Sequence, residues 1–147
     1  MTVRQATVFD LDLLVPLFDQ YRQFYRKPSD LSLARQFLRE RFEHNQSVVF
    51  LACGADGAAV GFTQLYPSFS SAAAARIFLL NDLFVNDGAR RQRVGAALLS
   101  AAVAYARAVG AVRLTLSTEV SNAAAQALYE TEGWVRNSDS YVYNLAV

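Results

Sequence analysis

Residues 76–99 read RIFLLNDLFV-NDGARRQR-VGAALL, and three kinds of segment meet there. Arg76 to Val85 is a long, nearly continuous apolar run, the pattern of a strand lying central in a sheet. Asn86 to Arg93 is a polar, arginine-rich connection. From Val94 an apolar stripe recurs at Leu98, Ala101, Tyr105 and Val109 and stops at Gly110, which predicts an amphipathic helix with a glycine C-cap. The first turn of a helix therefore follows a buried strand almost directly. Its amides lack intrahelical partners, and the macrodipole adds partial positive charge. Gly95 and Ala97 present little side chain, and Arg90, Arg91 and Arg93 add charge, so the junction suits a phosphate or pyrophosphate. The competing reading is an ordinary junction with a solvated arginine loop. It is not a Walker loop, since no Gly-Lys-Ser/Thr follows, and the G-x-G-x-x-G of a dinucleotide site is absent.

Outward from this junction, Val112 to Ser117 reads as a strand, and Asn122 to Glu132 as a helix ending at Gly133. Trp134 to Leu145 reads as one or two further strands. Upstream, Thr2 to Thr7 alternates weakly as a strand, and a helical stripe runs through Leu14, Leu17, Tyr21 and Phe24. Lys27-Pro28-Ser29-Asp30 breaks that helix and caps the next, whose stripe is Leu33, Phe37, Leu38 and Phe42. Ser47 to Cys53 and Ala59 to Tyr66 form a hairpin about Gly54-Ala-Asp-Gly57, with Pro67 to Ser71 expected as loop. The order β-αα-βββ-α-β-α-β(β), without repeats or a linker, predicts one mixed α/β domain over residues 1–147.

Composition narrows the function. The 147 residues carry 14 Lys+Arg against 13 Asp+Glu, and this near-neutral balance argues against a broad nucleic-acid or membrane-surface binder. One cysteine and one histidine exclude an internal disulfide and a Cys/His metal cluster, so no metal is expected. Asp10 and Asp12 interrupt the start where a signal peptide needs an apolar core, and no apolar run approaches the ~18 residues that span a bilayer. A cytoplasmic domain is the expectation.

Two further spacings carry a resemblance. Gln92-x-x-Gly95-x-Ala97 resembles the Q/R-x-x-G-x-G/A motif of the GNAT superfamily of N-acetyltransferases, and lies between the expected fourth strand and third helix as in that family. Asn122-Ala-Ala-Ala-Gln-Ala-Leu-Tyr129-Glu-x-x-Gly133-Trp134 resembles its N-x-x-A-x-x-L-Y-x-x-x-G-F/W segment. The resemblance covers essentially the whole chain. It implies an α/β (α+β) GNAT fold, with a mixed, mostly antiparallel sheet of about seven strands flanked by about four helices. It also implies transfer of an acetyl group from acetyl-CoA to a primary amine of a small molecule or protein, of the spermidine/spermine type or another. The amides of Arg93, Val94, Gly95, Ala96 and Ala97, with Gln92, would hold the coenzyme A pyrophosphate. The backbone of Leu83, Phe84 and Val85 would pair with the pantetheine, Asn122 would contact it from the other side, and Tyr129 would protonate the departing thiolate. A homodimer is also compatible with the resemblance.

The chemistry agrees with those roles. Direct attack on a thioester needs alignment, stabilisation of developing negative charge and removal of a proton from the amine. A phenol with pKa ~10 is a poor base at neutral pH but a serviceable donor to a thiolate. Three positions depart from the family pattern: Asp87 where Pro is common, Arg93 where Gly is common, and Asn81 where spermidine/spermine-type members carry a Glu as base. If Arg93 adopts a positive φ, some strain follows. Asp82 is the nearest carboxylate, but a regular strand points it to the opposite face unless a bulge re-aims it. Asp82 as base, Asp82 as structural anchor, a water chain, Glu119, or no base all remain open. Tyr25, Tyr66 and Asn81, with Tyr21, Phe24 and Phe69 nearby, are candidates to line the acceptor cleft. His44 and Cys53 are read as a solvated or capping His and a small buried hydrophobe. The alternative to an enzyme is an acyl-CoA-binding protein of the same fold without turnover.

Overall fold

The computed structural model describes residues 1–147, which divide into two compact units, residues 1–117 and 118–147. The first contains five strands, β1 (Thr2–Gln5), β2 (Val48–Cys53), β3 (Ala59–Ser70), β4 (Ala75–Val85) and β5 (Arg113–Thr115). Its helices are α1 (Leu11–Phe24), α2 (Leu31–Glu43) and α3 (Val94–Ala108). The sheet runs in the order β1-β2-β3-β4-β5, antiparallel throughout except for the parallel pairing of β5 on β4. The second unit holds α4 (Ala123–Thr131).

Local chemistry accounts for most boundaries. The Asp30 carboxylate accepts from the Leu33 amide (3.0 Å) and starts α2. Gly110, at φ +79°, lies just past α3, where an L side chain would be strained. Pro16 lies inside α1, which begins at Leu11 immediately after a short 3-10 turn. Between α1 and α2 the buried Asp19 carboxylate accepts from Ser29 Oγ (2.6 Å), the Asp30 amide (2.8 Å) and Gln23 Nε2 (3.0 Å), so one side chain fixes the connection.

Each face of the sheet has its own core. On one, Phe62 and Phe84 meet the aromatic side of α1: Phe62 stands edge-on to Phe18 (6.1 Å) and Tyr21 (5.9 Å). Val49 and Leu51 of β2 and Leu38 of α2 belong to the same cluster. On the other, Tyr105 of α3 packs edge-on against Phe50 (5.7 Å) and Phe78 (5.6 Å).

Two expectations are corrected. The sheet has five strands rather than about seven, because Trp134 to Leu145 forms no ladder. In that stretch the Asp139 amide donates to Asn137 Oδ1 (2.8 Å), a local bond of the kind that competes with strand pairing. Conversely, Pro67 to Ser70 is strand rather than loop: Pro67 pairs with Phe78 beyond the last β2–β3 pair, Val48–Leu65. Past that pair β3 is an edge, where a missing N–H costs no ladder bond.

Candidate active site

The register of β3 on β4 slips at one point. Gln64 pairs with Asp82 and Leu65 with Leu80, so Asn81 is the extra residue of a β-bulge. Phe78 and Phe84 are six residues apart and would share a face in a regular strand. Instead Phe78 meets Tyr105 of α3 and Phe84 meets Tyr21 of α1 (6.5 Å), so the bulge inverts which face each residue serves. Asp82 thereby points to the α1–α2 face beside Gln64, while Asn81 stays exposed.

The Asp82 carboxyl is only 2% exposed. Gln64 Nε2 donates to its Oδ2 and Asn81 Nδ2 to its Oδ1 (2.8 Å). The Tyr21 hydroxyl lies against the same carboxyl and donates to the Asn81 carbonyl (3.3 Å). Burial pushes the Asp82 carboxyl above its ordinary range, and the hydrogen bonds from Asn81, Gln64 and Tyr21 only partly oppose it. Burial likewise raises the Tyr21 and Tyr66 phenols, with the Asp82 charge adding to both. The site therefore pairs a carboxyl of enhanced proton affinity with phenols that stay protonated at neutral pH.

Beyond the bulge, β4 loses its neighbour. The last β4–β5 pair is Leu79–Thr115, so Leu83, Phe84 and Val85 have no partner strand on that side. The strand leads through a short 3-10 turn (Asp87–Ala89) into α3, whose N-terminus no side chain caps. Arg91 (φ +65°) and Arg93 (φ +62°) are both left-handed, and both guanidinium groups make no hydrogen bond or ion pair. Arg90 is engaged instead, with the Val85 carbonyl (3.1 Å) and Asp87 (2.9 Å). Gly61 underlies this region: a Cβ there would lie 2.8 Å from the Phe84 carbonyl and 3.3 Å from Val94 Cγ1. Open amides from Arg93 to Ala96, two free cations and the small residues Gly95, Ala96 and Ala97 fit a diphosphate, while the Ala97 amide already donates to the Arg93 carbonyl (3.1 Å).

In the second unit, Asn122 Oδ1 caps α4 by accepting from the Ala125 amide (3.1 Å). The Tyr129 ring lies 6.2 Å from that of Trp134, whose amide donates to the Tyr129 carbonyl (2.9 Å).

Among the acceptor candidates, Asn81 joins the Asp82 cluster and Tyr66 lines a cavity described below. The Tyr25 ring, at the end of α1, lies tilted against Tyr21 (5.0 Å) and edge-on to Phe24 (5.2 Å). No spacing in the sequence ties Tyr21 or Gln64 to Asp82. A signal exists for Gln64: Thr63 and Gln64 are the two polar residues in the otherwise apolar run from Ala59 to Pro67, and both are fully buried.

The fold and this junction define an acyltransferase of one particular family. The model of the acetyltransferase (GNAT) family matches residues 14–134, and the chain belongs to that family. It is 48% identical over its whole length to the uncharacterized N-acetyltransferase YhfO of Bacillus subtilis, of which it covers 98%. It is 31% identical to a probable acetyltransferase of Haemophilus influenzae, covering 100% of this chain and 99% of that one. A crystal structure of a probable acetyltransferase superposes with a TM-score of 0.94 at 42% identity, over 100% of this chain and 98% of the other.

Proposed function

We propose that this acetyltransferase moves an acetyl group from acetyl-CoA to a primary amine by direct attack, using residues 1–147 as one catalytic domain. The observation that carries the reading is the end of β4, where an unpaired strand edge runs into an uncapped helix bearing two free arginines. Bound there, acetyl-CoA supplies the activated thioester. The amides of Arg93 to Ala96, with Gln92, hold the diphosphate, and Ala97, whose amide donates to the Arg93 carbonyl, contributes its small side chain. Leu83, Phe84 and Val85 offer backbone groups to the pantetheine as a neighbouring strand would, and an amide among them stabilises charge developing on the carbonyl oxygen.

Asp82 takes the amine proton, held in place by Gln64 and Asn81 and with the Tyr21 hydroxyl against it. A carboxyl raised above its ordinary range is a better base near neutral pH than an exposed one. The family resemblance supports Tyr129 as the acid that protonates the leaving thiolate, and Asn122 as a further pantetheine contact. Tyr25, Tyr66 and Asn81 face the acceptor.

The test is thiol release from acetyl-CoA across polyamines, amino acids, aminoglycosides and peptides, with acetylated product identified by mass. Amine-dependent release with one acetyl per thiol is the expected result. Tight acetyl-CoA binding with no transfer to any acceptor would instead make the chain an acyl-CoA-binding protein.

A further inference from the structure

A cavity of about 630 Å³ opens between the end of α2 and β3, walled by Phe37, Arg41, Asn45, Gln46, Tyr66 and Pro67. Arg41 is the one charged group in that wall. Its guanidinium lies 4.4 Å above the Phe37 ring, and its Nε donates to Gln46 Oε1 (2.9 Å), so its orientation is set. Asn45, in the left-handed region at φ +51°, and the bond from the Gln46 amide to the Arg41 carbonyl (2.8 Å) fix the turn that carries Gln46. Nη2 has only a long contact to half-exposed Glu40 (3.4 Å), and Nη1 has no protein partner.

The opposite wall adjoins the reaction centre. Tyr66 is two residues from Gln64 on the same face of β3, and Gln64 holds Asp82. Two strand residues span about 6.8 Å. The Tyr66 phenol is kept protonated by burial, so it offers a hydroxyl rather than a charge. A partly buried guanidinium with a free N–H edge beside a neutral phenol suits an anionic oxygen group, and it disfavours a second ammonium by like-charge repulsion.

We propose that this cavity is the anion subsite of the acceptor: the amine acetylated by this chain carries a carboxylate or phosphate, bound by Arg41 and Tyr66 about 7 Å or more from the nitrogen. The inference rests on the acetyl-transfer reading above. It excludes simple polyamines as the preferred acceptors.

The test compares acceptors of one chain length, 6-aminohexanoate, 6-aminohexyl phosphate, 6-aminohexanamide and 1,6-diaminohexane, by thiol release from acetyl-CoA. The acids should exceed the amide and the diamine by about tenfold or more in kcat/KM, the size of one charge-assisted hydrogen bond. The ratio between the two acids tells carboxylate from phosphate. Arg41→Gln should bring the acid-to-amide ratio close to one, and Arg41→Lys should restore part of it. A purely structural role for Arg41 would lower all four rates together and leave the ratio intact. If Arg41→Gln does not fold, Tyr66→Phe must lower the same ratio. An amide or diamine that matches the acids, or a ratio unmoved by these variants, overturns the proposal. If no amine is acetylated, the acetyl-transfer reading has failed. The subsite is then judged by calorimetry with 6-aminohexanoate and inorganic phosphate, where equal affinity for wild type and Arg41→Gln overturns it.

Discussion

Gln64 and Asp82 stand directly opposite one another on β3 and β4, both buried, with Gln64 Nε2 donating to Asp82 Oδ2 while Gln64 Oε1 has no partner. The half-satisfied amide and the raised carboxyl have one origin, since the pair is held away from water. Native Asp82 binds its proton more tightly than an unfolded carboxyl of pKa 3.8. Protonation therefore adds stability that is complete below that value and is lost as pH rises through the native one. Asp82→Asn does not titrate. Urea unfolding of both proteins from pH 3.5 upward should show wild type losing stability relative to the variant as pH rises. A difference that is flat or grows in favour of wild type would contradict the raised carboxyl.

The same variant tests chemistry. Asp82→Asn should lower kcat by about 100-fold or more, the usual worth of a general base, and should leave acetyl-CoA affinity unchanged. The rising limb of the wild-type pH–rate profile should lie above the ordinary carboxylate range and vanish in the variant. A limb that survives assigns the base elsewhere.

Tyr129→Phe should reduce kcat by about 100-fold with the dissociation constant of acetyl-CoA unchanged, because only proton donation to the thiolate is lost. Equal kcat in a single-turnover measurement would remove Tyr129 as the acid.

At Gly61 the obstacle is backbone. An added Cβ would meet the Phe84 carbonyl at 2.8 Å, with Val94 and Leu98 close behind. Gly61→Ala should cost about 1–3 kcal/mol in equilibrium unfolding and weaken acetyl-CoA binding, since β4 and the start of α3 must both shift. Wild-type stability would show that the strands part without strain.

Arg93→Gly probes the left-handed residue before α3. Relief of φ +62° should outweigh the added freedom of the unfolded chain by about 0.5 kcal/mol, raising stability slightly. Acetyl-CoA affinity should fall less than about fivefold, the scale of an exposed ion pair, if the amides do most of the holding. A larger loss would transfer that role to the guanidinium.

The parts legible in the sequence are those that local chemistry decides. The Asp30 cap, the Gly110 stop and the Arg90–Ala97 junction depend on a few neighbouring residues, and each lies where the spacing puts it. Pairing is another matter. Nothing near Pro67 in the chain reveals that β2 ends opposite Leu65 and leaves an edge on which proline is tolerated. The alternation of Trp134 to Leu145 suits a strand, but a strand also needs a partner, and periodicity carries no information about one. Asp82 lay between: its parity and the need for a bulge could be read, but its ties to Gln64 and Tyr21, residues 18 and 61 positions away, could not.

The single extra residue at Asn81 gives β4 two independent halves. Substitutions at Phe78 are felt by α3, and substitutions at Asp82 or Phe84 by Gln64 and α1. Side chains on the Asp82 face can therefore change without altering the ring against which Tyr105 of α3 packs. Deleting Asn81 would close the ladder with Asp82 still opposite Gln64 and every later residue on its present face, so the loss would be confined to what Asn81 itself supplies, its amide to the Asp82 carboxyl and its carbonyl to Tyr21.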